Sequence, residues 1–466
     1  MATVDEFDRY MTQLCKGLDH PGRHQSLLEY CSGLMLPIQR KSVEPLAAHA
    51  DPLNVAAKHQ ALHHFVANAR WSDRVLLEGI REHVEPHLGL RRGAYWIIDD
   101  TAHPKCGRHS VGVARQYCGR LGKQDNCQVA VSLSLATAQG SVPVDYQLFL
   151  PEEWATDAKR RRKAKVPETV QFATKAQIAL VQIRAAQQRG LVQGTVLADA
   201  GYGTGTAFRE ALAELGLTYA VGVSSSVTVW APGTTPLSAA PHLGRGRPPT
   251  RLRRGPGHQP VSVKELALAL KRSTWQNVAW REGTNKTLSS RFARVRVRAA
   301  HRDYLRTGLR EAQWLLIEWP LREAEPTKYW LSNLSVNTNI TEMVNTAKMR
   351  WRIEQDYHEL KQEFGLSHYE GRGWTGFHHH ATLCIAAYGF LTAQRLKQAS
   401  KKNSSHRPKA SALPEDYKPR GSRPSAAPRA GFDPHAAPSR EHRARAASAT
   451  LPVLRFGPPP PVTQYN

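Results

Sequence analysis

Hydrophobic positions in the first 90 residues recur every three or four places. SLLEYCSGLML (26–36), NVAAKHQALHHFV (54–66) and SDRVLLEGIREHV (72–84) each follow this period between Pro, Asp or Gly breaks, which predicts four or five short helices and little strand. The period then changes. AYWIIDD (94–100) is an apolar run ending in acids, while NCQVAVSLSLAT (126–137) and VPVDYQLFL (142–150) alternate on either side of the turn AQGS; the pair predicts a β-hairpin. FATKAQIALVQIRAAQQRG (172–190) reads as a helix closed by glycine, TVLADAGYG (195–203) as a buried strand ended by Asp199, and TYAVGVS (218–224) as another strand after a helix near 206–215. Strand, hairpin, helix, strand, helix, strand predicts an α/β architecture, a mixed sheet with an antiparallel side flanked by helices.

The remainder divides by texture. Residues 1–90 form the helical N-terminal region, 91–224 the first part of the α/β core, and 225–320 a β-rich insertion around a basic loop. KYWLSNLS (328–335) returns to the sheet in a second core segment, 321–400, followed by a long helix that contains RWRIEQDYHELK (350–361). Residues 401–466 hold twelve of the thirty prolines and no apolar period, the composition of a disordered basic tail.

Charge narrows the function. A net charge of +25 calls for a polyanionic partner, nucleic acid before membrane. No apolar run reaches the eighteen or so residues of a bilayer span, and the acidic start MATVDEFDRY is unlike a signal peptide. The six cysteines lie outside any CxxC pair, so a reduced, cytoplasmic protein is expected, and their spacing matches no common zinc module. The triplet His378, His379, His380 is also no metal motif, because adjacent residues on a helix do not face one centre.

Carboxylates placed at strand ends are the candidate chemistry. Asp99 and Asp100 close one buried run and Asp199 closes another; in α/β sheets such ends face the ligand crevice, although helix capping and turn formation explain either one alone. Aspartates side by side repel each other, and a divalent cation relieves that. On a helix, Arg350, Glu354 and Lys361 fall within about 40° of one another, with Tyr357 beside them. Glu354 can then complete an oxygen cage for Mg²⁺ or Mn²⁺, with Arg350 and Lys361 facing phosphate. An i,i+4 ion-pair ladder on a solvated helix accounts for the same spacing.

Taken in order, IIDDT (97–101), LADAGYG (197–203) and RWRIEQDYHELK resemble the three catalytic blocks of bacterial insertion-sequence transposases. These belong to the DDE superfamily with an RNase H-like core, in the group whose third block reads Tyr-x2-Arg-x3-Glu-x6-Lys. HPKCGRHSVGVARQYCGRLGKQDNCQVAVSLSLAT and YQLFLPEEWATDAKRRRKAKVPE extend the likeness, which spans roughly residues 25–395. Ala347 stands where the group has Tyr, which puts in doubt any role of that tyrosine at the transposon end. The resemblance implies Asp100, the acid followed directly by Thr, with Asp199 and Glu354 as catalytic residues holding two Mg²⁺ or Mn²⁺ ions. It implies cleavage at terminal inverted repeats, joining of the freed 3′-hydroxyl to target double-stranded DNA, and a homodimer that pairs two ends. A Mg²⁺-dependent nuclease on the same fold, or a DNA-binding derivative without catalysis, are the alternatives.

Further DNA contacts are expected from Arg160, Arg161 and Arg162 in KRRRKAK, and from Arg245 and Arg247 in RGRPP, which resembles the core of an AT-hook. Trp374 reads as a core aromatic or a base-stacking residue. A helix-turn-helix among the first helices would suit recognition of the terminal repeats.

Overall fold

The computed structural model describes residues 2–405 apart from residues 120, 243, 245 and 283–286. Two compact units divide the chain, Met1–Lys397 and Gln398–Asn466. Five helices occupy the first 84 residues: α1 (Ala2–Cys15), α2 (His24–Leu34), α3 (Val43–Ala50), α4 (Val55–Ala67) and α5 (Asp73–Val84). Local chemistry sets their limits. In α5, Ser72 caps the start by accepting from Val75 N, and Leu76, Leu77, Ile80 and Val84 form the buried stripe. The helices are not a separate lobe, because Phe7, Leu27, Leu62 and Leu76 belong to one core with Trp96, Val131 and Phe390.

The sheet begins with β1 (Tyr95–Pro104), β2 (Ala114–Cys118), β3 (Lys123–Ala136) and β4 (Ser141–Leu148). After the short helices α6 (Glu152–Ala155) and α7 (Ala158–Lys163), α8 (Lys175–Gln188) crosses to β5 (Thr195–Ala198). A single turn, α9 (Ala200–Gly203), and α10 (Thr206–Glu214) lead to β6 (Tyr219–Val223). The inserted segment adds β7 (Thr228–Trp230), β8 (Val261–Ser262), α11 (Val263–Ala269), β9 (Gln276–Glu282), β10 (Thr287–Ala299) and β11 (Gln313–Trp319), and the chain returns as β12 (Lys328–Ser332). The strand order is β2-β3-β1-β5-β6-β12-β11-β10-β7-β8, with β4 on β3 and β9 on β10. β1, β5 and β6 run parallel and the other pairings are antiparallel. The expected α/β mixed sheet is therefore present, and the insertion prolongs it rather than standing apart.

Helices cover both faces. α8 packs Ile178 and Ile183 into the main core on one face. Ile353 and Tyr357 pack against Ile97, Leu197 and Ala220 on the other. The long helix expected after β12 is two helices, α12 (Ile340–Lys348) and α13 (Trp351–Gln362), parted at Met349–Arg350. Several short elements escaped the sequence reading, among them β2, α6, α7 and α9, and also α11 inside the region expected to be β. The α11 signal is visible in hindsight, since Ser262 and Glu265 form a reciprocal capping box.

The last helix, α14 (Trp374–Ser405), carries the histidine triplet. All three rings are buried and bonded to backbone: His378 Nδ1 lies 2.9 Å from Trp374 O, His379 Nδ1 2.9 Å from Val66 O, and His380 Nε2 3.0 Å from Gly365 O. The triplet is a packing feature. Burial pushes the His380 pKa down to about 4, and Tyr30 Oη at 2.9 Å can donate to its Nδ1. An unfolded histidine titrates near 6.5, so unfolding takes up a proton below that pH. His380's share of the stability is intact above pH 6.5 and is lost as pH falls toward 4, by up to about 3 kcal/mol. His380→Gln should therefore flatten the dependence of Tm on pH between 4 and 6.5 relative to wild type; an unchanged slope would contradict the assignment.

Candidate active site

The first two acidic positions are brought together by strand register. β1 and β5 pair in parallel with Tyr95 opposite Thr195, Trp96 opposite Val196 and Ile97 opposite Leu197. Continuing the count puts Asp99 level with Asp199, and alternation turns both toward the face covered by α13, since Ile97 and Leu197 already contact Ile353 there. β5 ends at Ala198, and Asp199 then caps α9, accepting from Gly201 N at 2.8 Å. Its turn is fixed by close packing: a Cβ on Gly203 would stand 2.1 Å from Gly222 O of β6, so only glycine lets α9 lie so near the sheet. The capping role foreseen for a strand-end Asp is real here, and Asp199 also lines the cavity beside the acids.

Asp100, the position favoured from sequence, points elsewhere. It pairs with Val131 while Asp99 pairs with Ser132. Val131 O accepts from Gln182 of α8, whereas Ser132 Oγ meets Tyr357 of α13 at 2.7 Å. Asp100 accordingly forms its ion pair with Lys175, at the start of α8. Adjacent residues on a strand face opposite sides, so only one of the two aspartates can face Glu354's helix, and that one is Asp99.

Glu354 lies in the first turn of α13 with its side chain 57% exposed, and the guanidinium of Arg350 joins it to Asp99: Arg350 Nη1 donates to Asp99 Oδ2 at 2.7 Å and Nη2 donates to Glu354 Oε1. Arg350 was expected to face phosphate; here its charge is committed to two carboxylates. Burial pushes the Asp99 pKa up to about 7; Arg350 opposes the shift, and the neighbouring charges of Asp199 and Asp100 add to it. A half-buried acid that ionises reluctantly needs a cation beside it, and the guanidinium supplies one. Among the described residues, no group of three His, Cys, Asp or Glu side chains is arranged to hold a metal ion. The donor chemistry nonetheless suits one, since all three oxygens sets are hard carboxylates, and Asp99 and Glu354 already share a single positive charge.

A cavity of about 360 Å³ opens beside these acids, lined by Asp199, Lys328, Trp330, Lys348, Arg350, Trp351 and Glu354 among others. Its three cations, Lys328, Lys348 and Arg350, all come from beyond β6, and the last two are engaged with carboxylates. Trp351 is held between Arg281 of β9, 4.1 Å from its ring centroid, and Arg352 at 4.3 Å, tying the insertion to the Glu354 helix. Lys348 Nζ pairs with the buried Glu318 at 2.7 Å and lies 4.3 Å from the Trp280 ring.

The other basic positions divide between framework and surface. Lys361 Nζ donates to Ala102 O at 3.2 Å, at the edge of the same seam between α13 and β1. Arg160 stacks 3.8 Å from the Trp154 ring, and Arg161 donates to Pro167 O at 3.0 Å, so these two brace the α6–α7 corner. Arg162 and Arg247 are exposed, and Arg245 lies outside the described residues. Trp374 is buried, its ring tilted against His378 at a centroid distance of 4.5 Å, and is a core aromatic. Lys175, Lys348 and Asp356 carried no motif that marked them in the sequence, whereas Tyr357 already stood out beside Glu354 on the helical face.

Comparison with known proteins identifies the family. Residues 13–287 match the profile of a family described as DDE superfamily endonuclease. A probable transposase for insertion sequence element IS701 from Microchaete diplosiphon is 30% identical over 195 residues, which is 42% of this chain and 47% of that relative. The chain thus spans about half the length of the curated relative it matches. The profile covers Asp99, Asp100 and Asp199 and stops before Glu354, so the third acid stands on its contact with Arg350. Enzymes of the superfamily generally use divalent metals. With more than half of its length matched, the chain belongs to the DDE superfamily of endonucleases.

Proposed function

We propose that the protein is a transposase of an insertion sequence, which binds the terminal inverted repeats in double-stranded DNA, cleaves at the element's ends and joins the freed 3′-hydroxyl to target DNA. The observation that carries this reading is the register placing Asp99 level with Asp199 on the face where Arg350 links Asp99 to Glu354. Asp99, Asp199 and Glu354 would hold Mg²⁺ or Mn²⁺, as two ions. Such ions, when bound, activate a water or hydroxyl for attack on phosphorus and offset the charge of the leaving oxygen.

The chain's own groups account for the rest. Asp99 sits on β1 and Asp199 directly follows the neighbouring strand β5, where its bond from Gly201 N and the close packing of α9 on β6 hold it in place. Lys328, with Trp330 and Trp351, lines the same cavity as Asp199 and Glu354, where a backbone phosphate would be drawn in. Arg350, once displaced from the acids, has the planar fork for bidentate contact with that phosphate. Arg162 and Arg247, exposed and outside the ion pairs among the described residues, suit non-specific backbone binding. Pairing of two ends suits a homodimer.

The test uses the full chain with labelled terminal-repeat DNA, a supercoiled target plasmid and Mg²⁺. Labelled DNA covalently joined to plasmid is the expected product. Cleaved ends with no joined product would replace this reading with a nuclease on the same fold, and binding with neither would leave a DNA-binding protein.

A further inference from the structure

α13 presents two kinds of side chain to the sheet. Ile353 and Leu360 are buried apolar residues. Tyr357 is buried as well, yet its hydroxyl ends on polar atoms: it lies 2.7 Å from Ser132 Oγ and donates to Asp99 O at 3.0 Å. Asp99 and Ser132 are themselves cross-strand partners in the β1–β3 ladder. One phenol therefore touches both members of a single pair, at the level of the first acid.

The placement matters because β1 loses its parallel neighbour there. The β1–β5 ladder runs only as far as Ile97–Leu197, so the backbone that carries Asp99 is held on that side by other means. Tyr357 follows Glu354 by three residues and shares its side of the helix. A hydroxyl anchored on the Asp99 carbonyl fixes, one turn back along α13, how far Glu354 stands from the Asp99 carboxylate. The ring alone fills the space against Ile97, Leu197 and Ala220. A phenylalanine would pack as well and would spare the desolvation of a buried phenol, so the hydroxyl answers a need for position.

We infer that Tyr357 is a positioning residue for metal binding: its hydroxyl registers the Glu354 helix against Asp99 so that the two carboxylates can share a divalent cation. This rests on the reading of Asp99, Asp199 and Glu354 as the metal-holding residues.

The experiment titrates the DNA-free full chain with Mn²⁺, following free Mn²⁺ by electron paramagnetic resonance, with thermal unfolding measured in parallel. Tyr357→Phe should keep a cooperative transition within a few degrees of wild type and weaken Mn²⁺ binding by about tenfold or more, the range seen when groups that orient metal ligands are removed. Ser132→Ala, which keeps the bond to Asp99 O, should weaken it by about threefold. A merely structural tyrosine would lower Tm and leave the Mn²⁺ affinity of the folded protein unchanged, and that result overturns the inference. Should Tyr357→Phe not fold, Ser132→Ala decides: reduced affinity in a folded protein supports the positioning role, and wild-type affinity removes it. Asp99→Asn and Glu354→Gln separate the two levels. If they bind Mn²⁺ as wild type does, the proposed metal site fails and this role with it; if they lose binding while Tyr357→Phe does not, only the positioning role fails.

Discussion

Asp99→Asn should abolish DNA cleavage, by a factor on the order of 10³ or more, while Asp100→Asn should retain most of it. The expectation runs against the motif, in which the acid next to Thr is the obvious choice, and follows from strand geometry. Asp99 shares a face with Asp199 and is joined to Glu354 through Arg350, whereas Asp100 is turned to the far face and paired with Lys175. Losing one carboxylate that holds a catalytic metal removes several kcal/mol of transition-state stabilisation. The Asp100–Lys175 pair is about one-third exposed on each side, and a pair of that kind contributes only about 0–1 kcal/mol to stability. Plasmid nicking by the two variants at equal protein concentration, with DNA binding measured alongside, decides the matter. Normal cleavage by Asp99→Asn with loss in Asp100→Asn would reverse the assignment and require β1 to shift its register by one residue in the active complex.

The largest loss of stability is expected from Asp356→Ala. Asp356 is fully buried on α13 and its carboxylate accepts from three hydroxyls: Ser134 Oγ at 3.0 Å, Ser141 Oγ at 2.5 Å and Tyr388 Oη at 2.7 Å. Those donors come from β3, β4 and α14, so one side chain binds the Glu354 helix to three elements. Burial raises its pKa to about 6, with the hydroxyls opposing that shift. Truncation leaves three buried hydroxyls without their acceptor as well as a cavity, and such losses sum to about 3–5 kcal/mol. Asp356→Asn keeps the shape and one acceptor oxygen and should lose about 1–2 kcal/mol. Urea unfolding followed by circular dichroism reads both; a midpoint for Asp356→Ala indistinguishable from wild type would mean that the hydroxyls find other partners.

How far the sequence discloses this arrangement depends on the kind of signal each element carries. The amphipathic helices before residue 90 and the hairpin of β3 and β4 follow from period alone. The places of Asp199 after a buried strand and of Glu354 on a helix were legible because TVLAD and RWRIEQDYHELK carry strand and helix patterns. The choice between Asp99 and Asp100 was not legible: β1 is apolar on both faces from Trp96 to Ile98, so no alternation marks which acid looks toward α13. That information lies in the pairing with β5, a contact made a hundred residues away. Asp356 was hidden for the opposite reason. In RWRIEQDYHELK it is one more charge on a charged helix, and only burial between β3, β4 and α14 distinguishes it from Glu359. Arg350 was placed beside Glu354, with which it pairs, but its other partner in the folded chain is Asp99, which a helical projection does not contain.

The route of the insertion carries a consequence for how such a protein can diversify. The chain leaves the core at the end of β6 and re-enters on the adjacent strand β12, with Val223 opposite Tyr329 in an antiparallel ladder. Departure and return are thus one strand spacing apart, about 5 Å, the separation an ordinary hairpin turn would span. Everything between is, topologically, an elaborated hairpin loop. Segments of very different length can be exchanged there without moving β1, β5 or the acids they carry, much as a tool head is changed on a fixed handle.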